Sequence, residues 1–92
     1  MLHDIQNIEG VFNIFQFSHE EVELFSYPTK CDERMKRKIY QWRTSMLNPS
    51  MTTIRYIDKF AILQISKHSV ICILCHENSN IGEIRKALEN IQ

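Results

Sequence analysis

The sequence predicts an α+β fold: a five-stranded antiparallel sheet between helices, in the order α-β-β-α-β-β-β-α. Three observations carry this prediction. The stretch FAILQISKHSVICILC, residues 60–75, is two apolar runs around the polar Ser66, Lys67, His68 and Ser69, a pattern that reads as a β-hairpin. Its strands are apolar on both faces, because Ala61, Leu63 and Ile65 oppose Phe60 and Ile62, while Ile71, Ile73 and Cys75 oppose Val70, Cys72 and Leu74. Strands of that kind need cover above and below. Helical apolar spacing recurs at both ends and in the middle of the chain, which supplies helices for that purpose.

With 92 residues the chain is expected to form one domain over residues 1–92, and 43% apolar residues suffice for a core. Eleven basic residues cancel eleven acidic ones, so no net charge draws the whole molecule to nucleic acid or an anionic membrane. No apolar run approaches the roughly 18 to 20 residues of a membrane-spanning helix. The start, MLHDIQNIEG, has neither the basic nor the apolar region of a secretory signal. Three cysteines, an odd number, are therefore expected as free thiols in a reducing, cytoplasmic setting.

In chain order, Leu2, Ile5 and Ile8 share a helical face ahead of Gly10. Residues 11–18 alternate as a strand, with Val11, Asn13, Phe15 and Phe17 on one side. After a turn at Ser18, His19 and Glu20, residues 22–27 return, with Val22, Leu24 and Ser26 opposite Glu23, Phe25 and Tyr27. Thr29 is placed to cap a helix over residues 30–47, favoured by Asp32 and Glu33 and closed by Asn48-Pro49. Cys31, Met35, Ile39, Trp42 and Met46 make its apolar seam. Tyr40 stands apart from that seam and is the aromatic expected to be exposed. Residues 51–57 alternate Met51, Thr53, Arg55 and Ile57 against Thr52, Ile54 and Tyr56, a half-polar strand suited to a sheet edge. Asp58-Lys59 turns the chain into the hairpin. Asn80, with Glu83 three residues on, makes a capping box for a last helix whose stripe is Ile81, Ile84, Leu88 and Ile91, with Arg85 and Lys86 toward the outside.

This order resembles the roadblock/dynein light chain family over nearly the whole chain; longin and profilin-like domains share a related layout. Ile5-Gln6-Asn7-Ile8-Glu9-Gly10-Val11 looks like the family's passage from first helix to first strand, and Asn80-Ile81-Gly82-Glu83-Ile84-Arg85 looks like the opening of its last helix. The turn Ser18-His19-Glu20-Glu21 departs from the Asp-Gly usual there. The resemblance implies a non-catalytic platform, with no cofactor, that pairs with itself or with another roadblock-like chain through the middle helix and third strand. It implies a regulator or scaffold of a small Ras-like GTPase, one that would speed hydrolysis by ordering the GTPase's switch loops. The alternative it implies is a structural interaction subunit, such as a dynein-type light chain or part of a heteromeric scaffold. A long half-polar edge with a single charge and no internal proline points the same way, since such an edge is normally blunted or used. The expected interface residues are Lys36, Tyr40 and Arg43 on the helix and Met51, Thr53 and Arg55 on the strand.

Other chemistries fit less well. Cys72-Ile73-Leu74-Cys75-His76 matches the C-x-x-C-H of c-type haem attachment, but in a strand the odd separation sends the two thiols to opposite faces. The same geometry argues against zinc with His68 or Cys31. Arg34, Lys36, Arg37, Lys38 and Arg43 form a basic helix, yet they lie on several sides of it, which suits a solvated or protein-binding surface better than nucleic acid. His3, His19, His68 and His76 fall in expected termini, turns or loops with no nucleophile placed beside them by a known motif, and two glycines cannot make a phosphate loop, so no enzyme is expected.

Overall fold

The computed structural model describes residues 2–91. The elements are α1 (Leu2–Ile5), β1 (Val11–Ser18), β2 (Glu23–Tyr27), α2 (Glu33–Thr44), β3 (Ser50–Tyr56), β4 (Lys59–Ile65), β5 (Ser69–His76) and α3 (Ile81–Glu89), the order the sequence predicts. All strands pair antiparallel in one five-stranded sheet, β2-β1-β5-β4-β3. The apolar hairpin β4–β5 thus lies inside the sheet, and β3 is an edge.

Helices cover both faces. On one side Ile14, Ile62, Ile71, Ile73 and Cys75 pack with Leu2 and Ile5 of α1 and with Ile84 and Leu88 of α3. On the other, Phe15, Phe17, Ala61, Leu63, Val70, Cys72 and Leu74 pack with Ile39 of α2. The middle of the expected seam, Met35, Ile39 and Trp42, faces the sheet from α2, while Cys31 and Met46 border the same cluster from just outside the helix ends. Cys72 and Cys75 fall on opposite faces, both buried.

Several local expectations are corrected. The cap of α2 is Asp32, not Thr29: its carboxylate accepts the Met35 N–H at 2.7 Å, so the helix begins at Glu33. Cys31 lies outside the helix, and its N–H donates to the Glu23 carboxylate at 3.2 Å. At the far end the N–H groups of Ser45 and Met46 close on the Trp42 and Arg43 carbonyls, ending the helix before residue 47. The second strand starts at Glu23 and carries a bulge, where Gln16 faces Phe25 but Phe17 faces Glu23. The extra residue, Leu24, is left 54% exposed, and Glu23 shifts to the α2 face, away from Phe25 and Tyr27. The turn that lacks Asp-Gly finds its left-handed residue in Glu21, at φ 67°. Gly10 is left-handed too, at φ 93°; a Cβ there would collide with Ser79, and its carbonyl accepts the His76 N–H at 2.8 Å. In the last helix Asn80 caps the Glu83 N–H at 3.0 Å, as the sequence predicts.

Candidate interaction surface

The helix α2 crosses its face of the sheet with two different flanks. On one, Tyr40 stacks against Phe17 with ring centroids 5.9 Å apart, and its hydroxyl reaches the Ser18 carbonyl at 3.5 Å. Lys36 holds its ammonium 5.7 Å from the Phe17 ring, and Arg43 lies 5.5 Å from the Tyr40 ring. Arg43 also donates to His19 Nδ1 at 2.7 Å, which leaves Nε2 to donate to the Ser66 carbonyl at 2.8 Å. The turns β1–β2 and β4–β5 are thereby tied to the helix. On the other flank Trp42 meets Tyr56 of β3 edge-on at 5.2 Å, beside Ile54 and Met46. Just beyond α2, Leu47 is 81% exposed.

Burial raises the Tyr40 hydroxyl above its ordinary value, with Glu21 adding to the effect. Tyr40 is therefore a packed flank residue with a half-buried ring rather than a free aromatic. Periodicity placed it correctly off the seam but gave no sign that Phe17 would rise to meet it.

On the opposite face of the sheet Met51 borders the α1–α3 cluster. The guanidinium of Arg85 in α3 donates to Thr53 Oγ1 at 2.8 Å and to the Met51 carbonyl at 3.4 Å. Arg85 thus ties the last helix to the edge strand instead of pointing outward. Arg55 pairs with Glu77 at 3.0 Å and sits 5.6 Å from the Phe60 ring, an exposed pair that contributes little to stability. The structure brings Lys36, Tyr40 and Arg43 together, and Met51 and Thr53 together, but the sheet stands between the two groups. Trp42 and Arg85, which are not among the expected interface residues, flank β3 from its two faces, Trp42 through Tyr56 and Arg85 through Thr53 and Met51. Only Arg85 had no signal in the sequence, since its partners are more than thirty positions away.

The thiols offer no reactive centre. Cys31 is pushed up to about 12 by burial and by the neighbouring Asp32 and Glu23 carboxylates. Burial also raises Cys72, and raises Cys75 against a weaker opposing effect from Ser79. No group of three or more His, Cys, Asp or Glu is placed to hold a metal among the described residues. We expect the native protein to have the mass of the bare chain and to react with iodoacetamide at least about tenfold more slowly than the unfolded chain at every cysteine. Rapid labelling of Cys31 would show that the start of α2 is open. Among the described residues no helix is long and apolar enough to cross a membrane.

No protein-family model matches the chain, and no curated protein sequence matches it. Among solved structures the chain is similar to MglC from Myxococcus xanthus, with a TM-score of 0.62 at 10% identity over 97% of this chain and 87% of that one, and it shares that protein's fold.

Proposed function

We propose that the protein is a non-catalytic cytoplasmic adaptor that pairs with a second roadblock-like chain, its own copy in the simplest case, and binds a small Ras-like GTPase. The reading is supported by the roadblock-like architecture together with one observation at the edge of the sheet. Among the described residues strand β3 has a neighbour only in β4, and an exposed apolar residue stands at each of its ends. Leu47 and Ile57 are 81% and 76% exposed, while Ile54, Tyr56, Trp42 and Met46 are half-buried. In a monomer Trp42, Tyr56, Ile54 and Met46 pack on the core, but the free edge of β3 and the exposed Leu47 and Ile57 go unused, whereas a second β3 added about a two-fold axis would complete the ladder. In that pairing Met51, Thr53 and Arg55 lie along the seam, and α2 approaches its partner by the end that carries Leu47. Lys36, Tyr40 and Arg43 then lie on the flank of α2 toward β1, open to a further partner.

The wild type is expected to sediment as a dimer at micromolar concentration, and Leu47→Asp as a folded monomer. Thr53→Pro, which removes a backbone donor in the edge strand, should also weaken the pairing. A wild type that sediments as a monomer would sink self-association, and a folded, dimeric Leu47→Asp would move the interface elsewhere. For the GTPase, titration with Ras-like GTPases loaded with a GTP analogue or with GDP should show at least about tenfold preference for one state. Equal affinity in both states would favour a purely structural subunit.

A further inference from the structure

The charges of this neutral chain are not spread evenly. Residues 30–43 hold six basic side chains against two acidic ones, a net of +4, so the remainder, with five basic and nine acidic, carries −4. Six of the positive charges therefore sit in or beside one helix on one face of the sheet. The side chains of Arg34, Arg37 and Lys38 have no ion-pair or hydrogen-bond partner among the described residues. Arg34 and Arg37 are exposed on the crest of α2, on the side away from Ile39 and the sheet. Lys36 and Arg43, by contrast, are held in place by the Phe17 and Tyr40 rings. Beside the crest lies an open hollow of about 340 Å³, lined by Lys36, Arg37, Tyr40, Gln41 and Thr44 and also by Glu21 and Glu33, so the excess positive charge lies on the crest rather than inside the hollow.

We infer that this crest and hollow dock an acidic segment of a partner protein. Arginine binds carboxylates through paired N–H donors with fixed geometry, and two exposed arginines one turn apart match carboxylates one turn apart on a partner. The half-buried Tyr40 gives the floor of the hollow an apolar surface for the stems of those side chains. A continuous array of phosphates suits the site less well. Glu21 and Glu33 line the hollow and repel such an array, whereas on a protein segment they can face a basic residue and so fix the register. The uncharged Gln41 and Thr44 interrupt the positive charge along the crest in the same way. The crest faces away from the sheet, so it can dock a partner whether or not β3 pairs with a second chain.

The test is fluorescence anisotropy of the full chain with a labelled peptide of alternating Glu-rich and Ala-rich turns, run beside heparin and phosphatidylserine vesicles. The peptide should bind and weaken steeply as salt rises. In Arg34→Glu/Arg37→Glu the binding should fall at least about tenfold, while Lys67→Glu, a charge change in the remote β4–β5 turn, leaves it unchanged. Both substitutions lie on the surface, and unchanged circular dichroism confirms that the variants are folded. Peptide binding that survives the double reversal would overturn the inference, as would no peptide binding at low salt. Tighter binding of heparin or vesicles through the same two arginines would also overturn it, by making the crest a phosphate-binding surface.

Discussion

Phe17→Ala is expected to destabilise the domain by about 3 to 5 kcal/mol, the range for emptying the site of a buried phenyl ring. Phe17 is 1% exposed and belongs to the cluster that joins the sheet to α2. That helix has only one fully buried residue of its own, Ile39. The rest of its attachment is half-buried side chains, and Phe17 contacts two of them, Tyr40 and Lys36. Truncation therefore removes core volume and undercuts a helix flank at the same time. A domain of this size is stable by about 5 to 15 kcal/mol, so the variant should lose between about a fifth and all of that stability. Urea denaturation followed by the fluorescence of Trp42, on the opposite flank of α2, reads the whole helix. A loss under about 1 kcal/mol would show that α2 is held by something other than this cluster.

Leu88→Ala should cost about 2 to 5 kcal/mol through the other face. Leu88 is fully buried with Ile84 against Ile62 and Ile73. Its carbonyl also accepts the side-chain N–H of the buried Gln64 at 3.2 Å. A loosened α3 leaves the Gln64 amide short of a partner in a buried place, which adds to the cavity term. The effect should reach the sheet edge, because Arg85 on the same helix holds Thr53 and the Met51 carbonyl. Hydrogen exchange should accordingly quicken in β3 more than in β1, while chemical denaturation reports the global loss. Unchanged stability would mean that α3 does not dock as described.

The parts of the fold that periodicity controls were legible in the sequence. The two-faced burial of β4 and β5, the seam of α2, the edge position of β3 and the Asn80 cap each follow from spacing within one element. What escaped were contacts between elements. Asp32 takes the place of Thr29 as cap by accepting the Met35 N–H, while Glu23 of β2 anchors the N–H of Cys31 just ahead of it, a contact between elements that spacing along the chain does not reveal. Arg85 looks like any solvated helix residue until β3 is placed beneath it. For the proposed interaction surface, the sequence pointed to a helix and a strand, but it gave no means of seeing that the sheet would separate Tyr40 from Thr53. A strand pattern specifies alternation and leaves open which face a distant helix will choose.

The position of β5 between β1 and β4 has a consequence for synthesis. The β1–β2 and β3–β4 hairpins are each local and can close as soon as they leave the ribosome, but nothing joins them until β5 arrives. Val11 must wait for Cys75, and Ser18 for Ser69, so β1 finds its second neighbour only after most of the chain has been made. Contacts of such long sequence separation slow folding. Any nascent or truncated chain that ends before residue 69 carries two hairpins with open inner edges and uncovered apolar faces, the kind of species that associates wrongly or occupies a chaperone. Assembly of this domain is therefore late and nearly all-or-none: a single strand, the last of the sheet to be synthesised, makes two halves into one.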